Sequence, residues 1–117
     1  MKRDMDLIRQ ILLAARECQG PLKELPGVEQ ATFDYQVGLL NEAGFVVASV
    51  REDHGVFKTA LLWRLTWSGE DFACSLIDDT LWKKAKEAVL KPTASWTFDV
   101  LKAYLSSEIS RRLSSDI

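Results

Sequence analysis

Residues 29–71 read EQATFDYQVGLLNEAGFVVASVREDHGVFKTALLWRLTWSGED, and the hydrophobic period changes twice within them. Phe33, Val37, Leu40 and Gly44 fall at steps of four, three and four, with Leu39 and Ala43 beside them, which is one apolar stripe of a helix. Gln30, Asp34, Gln36, Asn41 and Glu42 are expected to take the wet surface of that helix. Gly44 suits the left-handed residue that ends it, having no Cβ to clash. Beyond it the period falls to two, the signature of strands. Phe57, Thr59, Leu61, Trp63, Leu65 and Trp67 share one face of the second arm, and that face is expected on the core. Arg51-Glu52-Asp53-His54-Gly55 is polar and closed by glycine, as a hairpin tip should be.

Helix, stop, hairpin, helix is the order of the second half of a winged helix, with residues 51–55 as the wing tip. Leu39-Leu40-Asn41-Glu42-Ala43-Gly44-Phe45-Val46 resembles the LLxEAGLI junction after the recognition helix of many bacterial winged-helix regulators. Leu65-Thr66-Trp67-Ser68-Gly69-Glu70-Asp71-Phe72 resembles the LTxxGxxF exit from a wing, where Thr66 or Ser68 can cap the next helix and acids fill its positive first turn. The expected fold class is α+β, mainly helical: a winged-helix-like domain with a β-hairpin wing and additional C-terminal helices.

The 117 residues fit one compact domain, read as a winged-helix core over 1–78 and a C-terminal helical extension over 79–117. A first helix is expected from a cap at Asp4 to about Gln19, buried along Leu7, Ile8, Ile11, Leu12, Ala15 and Cys18. Gly20-Pro21 stops it. Residues 22–28 are too few for a scaffold helix plus turn, so a short edge strand pairing with the hairpin is expected instead. After the wing, Phe72 to Ile77 form a short helix. Asp79 or Thr80 caps another, with Leu81, Trp82, Ala85, Ala88 and Val89 inside and Pro92 closing it. Ser95 or Thr97 caps the last helix, in which Phe98, Leu101, Tyr104, Leu105, Ile109 and Leu113 repeat at helical spacing.

Apolar residues make up 47% and charged residues 27%, ordinary globular values, and the net charge of -2 is not that of a protein that coats nucleic acid through bulk charge. Without a signal peptide or an apolar run long enough to span a bilayer, a cytoplasmic location without membrane association is expected. Cys18 and Cys74 lack metal-ligand spacing and read as buried or half-buried thiols of a reducing cytosol.

Nothing in the chain reads as catalytic or cofactor-binding. His54, the lone histidine, belongs to a polar turn, Asp78-Asp79 reads as helix capping, and neither a phosphate loop nor a metal-ligand cluster is present. Double-stranded DNA is the default partner of a winged helix, yet Glu29 to Ala43 holds no Lys or Arg and three acids, Glu29, Asp34 and Glu42. Gln30, Gln36 and Asn41 can read base edges only if Lys23, Arg51 and Lys58, with Lys2 and Arg3, anchor phosphates. The competing expectation is a protein-binding adaptor or inhibitor. Its surface would be drawn from Trp82, Trp96, Lys83 and Lys86, since four tryptophans exceed what a small core needs and aromatics are enriched at interfaces. A homodimer suits either role.

The opening Met1-Lys2-Arg3-Asp4-Met5-Asp6-Leu7-Ile8-Arg9, the Tyr35 to Phe45 segment, the Leu65 to Phe72 exit, Asp78-Asp79-Thr80-Leu81-Trp82 and Ser95 to Lys102 resemble, in matching order, an uncharacterised family of small bacterial and prophage proteins. That resemblance implies a winged-helix fold, a mobile-element setting and no catalytic residues; the competing adaptor expectation is a prophage-type protein that binds a host or phage protein through the acidic helix over 29–43. One departure is visible: the family often has His after the central-helix tyrosine, where this chain has Gln36.

Overall fold

The computed structural model describes residues 2–89 and 98–115. Among them are five helices and one two-stranded antiparallel sheet: α1 (Met5–Glu17), α2 (Gln30–Ala43), β1 (Val46–Asp53), β2 (Val56–Leu65), α3 (Trp67–Ser75), α4 (Asp79–Val89) and α5 (Phe98–Ser115). The class is α+β and mainly helical. The chain divides into two compact units, Met1–Ala73 and Cys74–Ile117.

In the first unit, Asp4 caps α1 as expected, its carboxylate accepting from the Leu7 N–H at 3.2 Å. Met5, Leu7, Ile8, Ile11 and Leu12 are buried. Cys18 is not: it is the extended residue that ends α1, and both it and Cys74 are exposed, against expectation. The expected edge strand is a single bridge, in which Leu22 and Leu62 exchange N–H···O bonds of 2.8 and 3.0 Å.

Helix α2 ends where its sequence says. Gly44 has φ 81°, its N–H donates to the Asn41 carbonyl, and the Phe45 N–H donates to the Leu40 carbonyl at 3.0 Å, the paired bonds that close a helix through a left-handed residue. The hairpin tip is tighter than expected. The strands run to Asp53 and Val56, leaving only His54 (φ 51°) and Gly55 (φ 79°) to turn. Positive φ at both central residues matches the right-handed twist of the flanking strands.

The core face of β2 corrects the alternation read from sequence. Of that set Phe57 is half-buried and Leu65 buried, but between them Ala60 and Leu62 point inward, while Thr59 and Trp63 are exposed and Leu61 is half-buried. The cause lies in the pairing. Val47 faces Arg64 but Ala48 faces Leu62, and Arg51 faces Thr59 but Glu52 faces Phe57. Trp63 and Lys58 are therefore extra residues on β2, and each bulge shifts the inward phase by one. Two bulges flip the face and restore it, so the inward set runs Phe57, Ala60, Leu62, Leu65.

The base of the hairpin is locked to α3 through Phe45. The Phe45 carbonyl accepts from the Thr66 N–H at 3.0 Å, and the Phe45 and Phe72 rings lie 5.4 Å apart. Thr66 Oγ1 donates to the Gly44 carbonyl at 2.6 Å and accepts from the Gly69 N–H at 3.1 Å, capping α3 while holding the end of α2. A Cβ on Gly69 would lie 1.8 Å from the Phe45 carbonyl oxygen. The Leu65-Thr66…Gly69…Phe72 pattern is thus a core residue, a cap, a backbone contact and a ring partner. Helix α2 packs on both strands, and α1 packs on α2 and β2.

In the second unit α4 and α5 pack together. Asp78, rather than Asp79 or Thr80, caps α4, its Oδ1 accepting from the Leu81 N–H at 2.9 Å. Leu76, Leu81, Trp82, Ala85, Leu101 and Leu105 are buried, whereas Ala88 is exposed. Pro92, Ser95 and Thr97, expected to end α4 and cap α5, lie outside the described residues.

Two glycine substitutions should separate rigid from yielding contacts. At Gly69 the obstacle is backbone, and Gly69→Ala should destabilise by more than about 3 kcal/mol. At Gly38 the obstacle is the Phe57 ring, 2.3 Å from the added Cβ, which is half-buried and can shift, so Gly38→Ala should cost about 1–2 kcal/mol. Urea unfolding of both variants reads the difference.

Candidate functional site

The side chains expected to read DNA do not form one surface. Gln36 is buried, at 1% exposure. Its Nε2 donates to the Lys2 carbonyl at 2.9 Å and its Oε1 accepts from the Asp4 N–H at 3.0 Å, so the amide pins the chain entering α1 and has no edge to offer a base. Asn41 is exposed, but its Oδ1 accepts from the Ala48 N–H at 3.2 Å, tying the last turn of α2 to β1. Arg51 is exposed on β1 near the hairpin tip. At that tip His54 lies 3.4 Å from Asp53 and is 94% exposed, the solvated position expected of it.

Gln30, Lys23 and Lys58 do come together. With Glu24, Asp34, Thr59, Ala60 and Leu61 they line an open cleft of about 510 Å³ between the segment before α2, the first turns of α2 and the middle of β2. Its floor includes a residue that the sequence reading put on the surface. Asp34 is 3% exposed, and its Oδ1 accepts from Gln30 Nε2 at 2.9 Å and from the Ala60 N–H at 3.2 Å. Gln30 Nε2 also donates to the Lys23 carbonyl at 2.9 Å, so one amide joins the incoming segment to the buried carboxylate.

The second surface is the outer side of the hairpin at its base. Trp63, the bulge residue, is 50% exposed, Val47 38% and Trp67, the first residue of α3, 85%. Trp63 Nε1 donates to Ser49 Oγ across the strands at 2.8 Å, which fixes the indole against the sheet. Arg64 is also exposed, and its guanidinium donates to the Leu65 carbonyl at 3.1 Å. Trp63 and Trp67 were expected inside. The bulge turned the first outward, and the start of α3 ended the strand before the second.

The expected partner-binding set in the second unit changes likewise. Trp82 is buried at 4% exposure and serves the core rather than an interface. Lys83 is exposed and Lys86 half-buried, while Trp96 lies outside the described residues. Among the described residues no group of three or more His, Cys, Asp and Glu could hold a metal ion, and no helix is long and apolar enough to cross a membrane.

The internal role of Gln36 can be measured. Gln36→Ala leaves the Asp4 N–H and the Lys2 carbonyl without their partner and should destabilise by about 2 kcal/mol. Arg51→Ala, at an exposed position, should stay within about 0.5 kcal/mol of the parent. Thermal unfolding of the two variants checks both values.

Comparison with known proteins places the chain in a family. A family described as "Hypothetical protein (DUF2513)" matches residues 2–95. An "Uncharacterized protein" of Haemophilus influenzae (strain ATCC 51907 / DSM 11121 / KW20 / Rd) is 31% identical over 121 residues, covering 97% of this chain and 99% of the relative. No solved structure matches the chain. The sequence therefore belongs to the DUF2513 family of hypothetical proteins.

Proposed function

We propose that this chain is a winged-helix-like, non-enzymatic interaction module that binds a protein through the outer side of the hairpin and the start of α3. The winged-helix reading rests on α2 closing at Gly44, the hairpin behind it, α3 after it, and the Leu22 bridge along the free edge of β2. One observation carries the choice of partner: Trp67 is 85% exposed and Trp63 50%, four positions apart at the base of the hairpin. Leaving two indoles wet forgoes burial that a domain of this size needs. Tryptophan is also the side chain most enriched among residues that dominate binding energy. A host or phage protein is the partner class that suits a small adaptor of this kind.

Duplex DNA fits less well. Residues 1–73 carry eight Lys and Arg against eleven Asp and Glu, a balance of -3, and α2 contributes no cation to offset phosphate repulsion. Of the three amides assigned to base reading, Gln36 is internal and Gln30 and Asn41 already hold backbone partners.

The test joins capture to mobility shift. Wild-type protein should retain a partner from lysate that Trp67→Ala loses at unchanged melting temperature, and neither should shift a mixed duplex at low salt. Light scattering reads self-association: a dimer that Trp67→Ala dissociates would make a second copy of the chain the partner. A low-salt shift that weakens steeply with salt, and weakens again in Lys23→Ala or Lys58→Ala, would overturn the proposal in favour of a transcription-regulator-like role.

A further inference from the structure

The cleft above α2 holds a carboxylate that the fold only half uses. Asp34 Oδ1 takes both of the residue's hydrogen bonds, from Gln30 Nε2 and the Ala60 N–H, and among the described residues no donor reaches Oδ2. No fully buried side-chain oxygen or nitrogen among those residues lacks a partner, so Oδ2 keeps some contact with solvent, and the cleft is the space that Asp34 lines. Asp34 as a whole is 3% exposed, so Oδ2 is an acceptor that a donor entering the cleft can meet in place of water.

The surrounding groups specify that donor. Gln30 Nε2 is held between two acceptors, the Lys23 carbonyl and Asp34 Oδ1, so the amide cannot be reversed and its Oε1 is left as an acceptor. Thr59 adds a hydroxyl to the lining. Acceptors lining one cleft suit an ammonium, which has three donors and no acceptor. Lys23 and Lys58 line the same cleft, and each can meet a carboxylate with a charge-assisted bond. Lys23 and Lys58 against Glu24 and Asp34 make the lining neutral, matching a ligand without net charge. Ala60 and Leu61 supply an apolar wall, and about 510 Å³ is within the usual range for small-molecule sites.

We propose that this cleft binds a free α-amino acid, its ammonium on Asp34 Oδ2 and its carboxylate on Lys58 and Lys23. The site does not depend on the protein-binding reading. It uses none of the tryptophans, and Trp67→Ala should leave it unchanged.

The full-length protein should be titrated with each of the common L-amino acids, read by thermal shift and calorimetry, and with the N-acetyl and amide derivatives of any that bind. At least one free amino acid should raise the melting temperature, and both derivatives should fail. Lys58→Ala and Lys23→Ala, at exposed positions that the fold does not need, should each weaken binding by about tenfold. Asp34→Asn, which keeps the acceptor for Ala60 but loses the charge, should abolish it. No heat and no thermal shift with any amino acid at millimolar concentration would overturn the proposal, as would binding indifferent to Lys58→Ala and Asp34→Asn. Binding of the amide but not the N-acetyl form would also overturn the zwitterion, assigning the site to a polypeptide N-terminus.

Discussion

The contact between the Phe45 carbonyl and α3 sets the geometry of the first unit. That oxygen accepts from the Thr66 N–H and sits where a side chain on Gly69 would have to be. Because Thr66 also bonds the Gly44 carbonyl and caps α3, three elements meet within a few residues. The end of α2, the base of both strands and the start of α3 cannot move independently. From that fixed base the hairpin extends over α2, and its inward residues are chosen by where the strands begin.

What the hairpin then presents depends on its bulges. Without the one at Trp63, the large indole would continue the inward series and Ala60 and Leu62 would face water. With it, two small or branched residues fill the space above α2, and the indole turns out to bond Ser49. The bulge at Lys58 restores the phase and seats the Phe57 ring 6.0 Å from that of Tyr35.

Much of this was legible in the residues. Gly44 as a helix stop, Asp4 as a cap, a hairpin turning within Arg51 to Gly55, and the Leu65 to Phe72 exit all follow from local chemistry that tertiary context does not override. The strand faces did not, because alternation assumes an unbroken ladder and a bulge leaves no compositional mark at Trp63 or Lys58. The polar residues of α2 were misplaced for another reason. Asp34 stands three residues before Val37, and Gln36 stands three after Phe33 and four before Leu40, so helical spacing already put both beside the buried stripe. Their polarity outweighed that position in the reading, though a buried polar side chain is ordinary once backbone groups satisfy it. The cleft was legible only in part: Lys23, Gln30 and Lys58 were singled out, but for phosphates and bases. The carboxylate that organises them needed the strand register to be seen.

The hairpin base and α3 form one rigid junction rather than two elements in passing contact. Native-state amide exchange, followed residue by residue by NMR, tests it most directly. The Thr66, Gly69 and Phe45 amides should exchange only through global unfolding, at rates matching those of the Phe33 and Val37 core of α2. Exchange of Thr66 and Gly69 far faster than that core, with the rates of a surface loop, would contradict the account.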